Sequence, residues 1–133
     1  MTDLIVCDAS AVVALLTDAG KTGQWVATAM QDAVLAAPDL LPFEVAKVLR
    51  RLERRGQITS HTATQAHLDL VDLAVQAFPY TAVADRVWAL RTNMTSYDAS
   101  YIAVAEVAGA TLFTLDQRLA GAPGIACPVV VGP

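Results

Sequence analysis

Short unbroken apolar runs alternate with stretches of helical spacing along this chain, which predicts a strand–helix repeat. Leu4–Cys7 has no polar alternation, as a strand buried on both faces requires, and it ends at Asp8. Ser10–Leu16 is spaced as a helix and is broken by Gly20, and Thr22–Gln31 is a second helical stretch. Val34–Ala37 is another short strand, closed by Pro38. Pro42 suits a first helical turn and Gly56 the residue after a last one, so residues 42–55 form a helix. Thr59 or Ser60 caps the next helix, expected to reach Val75. A third strand is expected at Ala77–Tyr80 and a helix over Ala82–Arg91. Ser96 caps a helix running to Ala108, which Gly109 ends. Thr111–Leu115 is β-rich and stops at Asp116. Gln117–Ala120 is a short helix, and Pro128–Val131 is a last strand.

This order implies a single three-layer α/β/α domain over residues 1–133, with a mostly parallel central sheet of about five strands. In such sheets the working crevice lies outside the carboxyl ends of the strands. Asp8 and Asp116 each follow directly on a strand, so both fall on that edge. A hydrophobic fraction of 55% against 17% charge predicts more apolar surface than a monomer wants, and therefore self-association or a partner. No apolar run approaches the ~20 residues of a membrane span. The opening Met-Thr-Asp-Leu-Ile-Val-Cys-Asp has no basic segment and carries an acid inside its apolar run, which argues against a secretory leader and for a cytoplasmic protein. Cys7 and Cys127 form neither a CxxC nor a zinc spacing, so two free, buried thiols are expected.

Four acids stand out by position. Asp8 and Asp116 end strands, while Glu44 and Asp98 each lie in the first turn of an expected helix. Each has an ordinary explanation taken singly, because an acid caps a helix or complements its dipole. Gathered in one crevice they would repel each other unless a cation lay among them. Oxygen-only ligands favour Mg²⁺ or Mn²⁺, and no His or Cys cluster suggests zinc. Such an ion activates water and clamps phosphodiester oxygens.

The net charge of −4 speaks mildly against a nucleic-acid partner, but five of the nine basic residues fall between Lys47 and Arg55. At 100° per residue, Val45, Val48, Leu49 and Leu52 share one arc, with Lys47, Arg50, Arg51, Arg54 and Arg55 on the other side. Glu44 lies near the border, in line with Lys47, Arg51 and Arg55. A basic stripe leading from an acidic pocket suits a metal-dependent nuclease, which must hold its polyanion while the ion does the chemistry; a solvated surface is its plainer explanation.

Asp8-Ala-Ser10 after an apolar strand, Pro42-Phe-Glu44-Val, the run Tyr97-Asp98-Ala-Ser-Tyr-Ile-Ala-Val-Ala-Glu106 and Thr114-Leu-Asp116 resemble, in this order and spacing, the PIN-domain family, and within it the VapC-type toxin ribonucleases. The resemblance covers essentially the whole chain. It implies a Mg²⁺- or Mn²⁺-dependent endoribonuclease, with Asp8 and Asp98 as principal metal ligands. It also implies that Glu44 orients water or a second ion, that Asp116 is the fourth acid, and that Ser10 and Thr114 brace the acids. Such toxins usually dimerise and are silenced by a cognate antitoxin that covers apolar grooves near residues 42–75.

Other strand-then-Asp classes fit less well. A haloacid-dehalogenase phosphatase wants a second Asp where Ser10 stands. A receiver domain wants adjacent acids on its first strand and a lysine on a late one, yet the only lysines are Lys21 and Lys47. A catalytically silent PIN-like interaction module is the non-enzyme alternative, against which the four retained acids speak. His61 and His67 lack a third ligand by spacing and read as surface or packing residues. Trp25, Phe43, Phe78 and Trp88 are expected in the core, as are Tyr97 and Tyr101.

Overall fold

A computed structural model describes residues 3–133; Met1 and Thr2, with which the leader reading opens, lie outside them. Five parallel strands form one sheet in the order β3-β2-β1-β4-β5. They are β1 (Asp3–Cys7), β2 (Ala33–Pro38), β3 (Val75–Phe78), β4 (Thr111–Thr114) and β5 (Val129–Val131). The helices are α1 (Ala9–Thr17), α2 (Lys21–Met30), α3 (Leu41–Arg54), α4 (Ser60–Asp72), α5 (Tyr80–Ala89), α6 (Ser96–Ala108) and α7 (Gln117–Ala120). Every element expected from the sequence is present.

The chain steps from β1 outward to β2 and β3 through α1–α4, then returns across the sheet to β4 through α5 and α6. Right-handed crossovers running in opposite directions put their helices on opposite faces, which gives the three layers. The order reverses between β1 and β4, so the switch-point crevice opens at their carboxyl ends. The central strands are covered on both faces: Val6, Cys7, Ala36, Ala37 and Leu112 are fully buried. Helix α6 supplies the opposing layer, burying seven consecutive residues from Ala99 to Ala105. Gly109 ends it at φ 63°, a left-handed conformation that favours glycine.

Several boundaries differ from the expectation. Helix α4 stops at Asp72 rather than Val75, because Leu73 turns extended and Val75 pairs with Leu35 of β2. Strand β3 accordingly lies earlier than expected; it ends at Phe78 because Pro79 has no N–H for a ladder, and Pro79 instead leads into α5. The cap of α6 is Thr95, whose hydroxyl accepts from the Asp98 N–H at 3.1 Å, not Ser96. Cys7 is buried as expected, whereas Cys127 is only half-buried. Three aromatics expected in the core lie outside it: Phe43 is 79% exposed, Trp88 64% and Tyr97 59%. Helical spacing gave them an apolar neighbourhood in sequence, but Phe43 points away from the Leu41–Val45–Leu49 face that α3 buries.

Candidate functional site

Asp8 is the residue at which β1 becomes α1. It caps α1 by accepting from the Ala11 N–H at 3.1 Å, as an Asp in that position does without any further purpose. A cap requires only that bond, and Asp8 has two more. Ser10 Oγ donates to the same oxygen at 2.6 Å, and Thr114 Oγ1 donates to the other at 2.5 Å. Asp8 as a residue is only 7% exposed, and among the described residues it has no ion-pair partner. Two hydroxyls from two elements therefore fix a buried acid in one orientation. Ser10 Oγ also accepts from the Leu115 N–H, and Thr114 Oγ1 from the Asp116 N–H. The hydroxyls thus join the ends of β1 and β4 into one network. A carboxylate oxygen offers about two acceptor sites, so Asp8 Oδ2 keeps one free after Thr114 is served.

Asp116 follows β4 and caps the short α7, accepting from the Arg118 N–H at 3.0 Å. The Arg118 guanidinium closes on the same carboxylate through Nε and Nη2, at 3.1 and 2.7 Å. That hydrogen bond is the main reason why the Asp116 carboxyl lies below its ordinary range, against some burial.

Asp98 sits in the first turn of α6. Its carboxyl is raised above the ordinary range, first by burial, then by the negative charge of Asp116 and, more weakly, of Asp8. Arg118 and Thr95 oppose the shift. Glu44 sits in the first turn of α3 and receives the Tyr101 hydroxyl at 2.6 Å, a bond that joins α3 to α6. The Tyr101 phenol is pushed above its ordinary range by burial first, then by Glu44, with Asp8 and Asp98 adding to it. The four expected acids therefore act on common groups: Asp98 responds to Asp8 and Asp116, and Tyr101 to Glu44, Asp8 and Asp98.

The acids are neighbours without forming a finished cage. Among the described residues no three Asp, Glu, His or Cys side chains lie close enough to hold one ion as they stand. The chemistry of the donors nonetheless suits a hard divalent cation. They are all oxygens, one of them is buried and orientated with a site to spare, and Asp98 is held up partly by its acidic neighbours. The thiol of Cys7, directly before Asp8, is pushed up to about 12 by burial and by Asp8, which removes it as a nucleophile near neutral pH.

Spacing did not single out Tyr101 as a partner of Glu44, Thr95 as a cap or Arg118 as the counter-ion of Asp116. Arg118 alone carried a readable signal, being two residues beyond an acid at a helix start. Away from the acids, Arg86 forms a bidentate pair with Glu106 at 2.6 and 3.1 Å, and Glu106 also accepts from the Ala126 N–H at 2.8 Å. His61 and His67 are exposed, as expected, and no helix among the described residues is long and apolar enough to cross a membrane.

The sequence profile of the PIN domain matches residues 5–125. The chain is 36% identical over 130 residues to VapC ribonuclease Mb0985 of Mycobacterium bovis, spanning 98% of this chain and 99% of that one. It is 34% identical over 120 residues to ribonuclease VapC3 of Pyrobaculum aerophilum, covering 87% and 92% of the two chains. Its fold is similar to that of VapBC2 from Rickettsia felis, solved with a DNA fragment from its promoter, with a TM-score of 0.69 at 12% identity over 98% and 99% of the chains.

Proposed function

The chain belongs to the PIN-domain family, and on that premise we propose that it is a VapC-type toxin: a metal-dependent endoribonuclease that hydrolyses RNA phosphodiester bonds at Asp8, Glu44, Asp98 and Asp116. The observation that carries this reading is Asp8, a buried carboxylate with two hydroxyl donors more than a helix cap needs.

Asp8 and Asp98 are the residues best placed to hold Mg²⁺ or Mn²⁺, with Asp116 and Glu44 completing the set. Such an ion supplies charge stabilisation for the phosphodiester oxygens and a more acidic water. Ser10 and Thr114 hold Asp8 so that its free acceptor site keeps one direction. Tyr101 occupies one oxygen of Glu44 and leaves the other to orient a water and take its proton. Lys47, Arg51 and Arg55, exposed along the α3 edge that begins with Glu44, offset the repulsion between RNA and an acidic protein.

The antitoxin of such a pair has a suitable surface. A cavity of about 310 Å³ opens between α3, α4 and β3, lined by Leu41, Pro42, Leu70, Val71 and Val75 among others. Val71 in its wall and Leu68 on the same helix are exposed. The exposed Tyr80 and Trp88 on α5 supply apolar surface for a homodimer. Nothing in this function needs a membrane, and its RNA substrate lies in the cytoplasm.

The test is incubation of the purified chain with total RNA, with and without Mg²⁺ or Mn²⁺, followed by mapping of the cut ends. Discrete, metal-dependent cuts are expected. RNA left intact with either ion would point to the silent interaction module instead.

A further inference from the structure

Thr114 holds Asp8 through its hydroxyl, and its own carbonyl is held in turn, accepting from the Gly132 N–H at 2.9 Å. Gly132 follows directly on β5, whose Val131 is in register with Thr114. A Cβ at Gly132 would stand 2.5 and 2.6 Å from Cζ3 and Cε3 of Trp25, and 2.9 Å from the Leu115 side chain. Carbon atoms in comfortable contact lie about 3.5–4.0 Å apart, so no side chain fits there. Gly132 is not among the glycines of positive φ, so space and not backbone conformation demands it. The obstacle is a rigid indole rather than the end of a flexible chain. That indole also meets Phe113 edge-on, with ring centroids 5.8 Å apart, and Phe113 is the residue before Thr114 on β4. Trp25 of α2 is therefore wedged between the chain neighbour of Thr114 and the residue that hydrogen-bonds it from β5. One turn earlier on α2, the Thr22 hydroxyl donates to the Pro133 carbonyl at 3.2 Å, so the same helix also holds the residue after Gly132.

Resting on the metal-dependent reading above, we propose that Trp25 and Gly132 are positioning residues for the carboxylate site: the indole seats the Gly132 N–H on the Thr114 carbonyl and so keeps the Thr114 hydroxyl aimed at Asp8. Thr114 is fully buried and β-branched, so its hydroxyl points where its backbone puts it. A shift of that backbone reaches Asp8 Oδ2 at 2.5 Å and the Asp116 N–H at 3.0 Å together. Hydrogen bonds weaken steeply once their angles are spoiled, so a small displacement is enough to release both acids. Trp25 and Gly132 touch neither the acids nor the reacting bond, and act only through Thr114.

The test begins on chelator-treated, nitrogen-15-labelled protein. The Asp116 and Leu115 N–H groups donate to Thr114 Oγ1 and Ser10 Oγ, the two hydroxyls that hold Asp8, so their amide signals report the arrangement without metal or RNA. In Gly132→Ala both signals should shift and exchange faster with solvent, while that of Thr62, which caps α4, should stay. Mg²⁺ affinity, measured calorimetrically, should fall by about 10- to 100-fold, as when a partner of a metal-holding group is lost. In cleavage, kcat should fall while KM for RNA is unchanged. Adding Trp25→Leu to Gly132→Ala vacates the space, and should restore signals and affinity to the level of Trp25→Leu alone, whose own loss is smaller because a gap disturbs Gly132 less than a clash. Unaltered Asp116 signal and Mg²⁺ affinity in Gly132→Ala, an equal disturbance at Thr62, or a loss that Trp25→Leu does not reverse would overturn the proposal. Should Gly132→Ala fail to fold, Trp25→Leu decides alone, and its indifference in both measurements overturns the proposal. A wild-type chain that never cuts RNA while its variants respond as described would sink the ribonuclease reading and leave this one standing. Undiminished cutting by Gly132→Ala with unaltered amide signals would do the reverse.

Discussion

The Thr114 hydroxyl donates to Asp8 Oδ2 at 2.5 Å, tying the last residue of β4 to the first residue after β1 across the point where the strand order reverses. Thr114 is fully buried and also accepts from the Asp116 N–H, so one hydroxyl sets the position of two acids. Thr114→Val keeps the shape and removes both bonds. It should lower stability by about 1–3 kcal/mol, the cost of leaving buried partners unserved, and reduce RNA cleavage by about 10- to 100-fold. Chemical denaturation and a cleavage assay on the same preparation check the two effects. A variant that loses stability with undiminished cleavage would show that the hydroxyl serves only the fold.

Asp98 makes the opposite trade. Its carboxyl is raised by burial and then by Asp116 and Asp8, so the folded protein holds that proton more tightly than the unfolded chain does. Stability from this group therefore falls as pH climbs from the ordinary carboxylate value through the raised one. Asp98→Asn should raise the melting temperature of chelator-treated protein near neutral pH while abolishing cleavage. Added Mg²⁺ or Mn²⁺ should stabilise the wild type, by about 2.7 kcal/mol at a hundredfold excess over Kd, and the variant hardly at all. Equal metal-induced shifts in the two would remove Asp98 from the ion site.

Arg118 neutralises Asp116 and acts on Asp98 in the structure, at the place where a divalent ion would bring its own charge. Its side chain is 85% exposed, so leaving Asp116 would bury no unpaired charge. Arg118→Gln should tighten Mg²⁺ or Mn²⁺ binding, measured calorimetrically in the Asp8-intact chain, by removing the competing cation. Weaker binding in the variant would mean that Arg118 supports the metal-bound arrangement instead.

The Arg86–Glu106 pair acts far from the acids, at the other end of α6. Burial pushes the Glu106 carboxyl up, but the hydrogen bond and charge of Arg86 and the Ala126 N–H outweigh it, so the net shift is downward. Its contribution is present above the unfolded carboxylate range and is lost as pH falls through the lowered folded value. Solvent reaches Arg86, which holds the expected gain to about 1–2 kcal/mol. Glu106→Gln should lower stability at neutral pH and flatten the acid limb of the stability curve. Parallel curves for wild type and variant would contradict the assignment.

Strand ends were the most legible part of the site. Unbroken apolar runs stopping at Asp8 and Asp116 placed both acids on one sheet edge from local pattern alone, and Pro42 and Gly56 bounded α3 to within two residues. What the sequence could not convey was long-range pairing. Glu44 and Tyr101 lie 57 positions apart, and nothing local to either announces the other. Exposure of Phe43, Trp88 and Tyr97 was hidden for a different reason. An aromatic that awaits a partner has the same local pattern as one that fills a core, and only the packed helices decide between them. Thr95 and Ser96 are both good caps, so backbone geometry alone settled that choice.

The most direct measurement is the rate of RNA cleavage by wild type, Asp8→Asn and Asp98→Asn, each stripped with chelator and then titrated with Mg²⁺ or Mn²⁺, with melting curves confirming that all three are folded. Cleavage by the wild type only when metal is returned, with both variants silent at every concentration, is the predicted result. Cleavage that survives chelation, or full activity in either folded variant, would contradict a carboxylate-held ion as the seat of the chemistry.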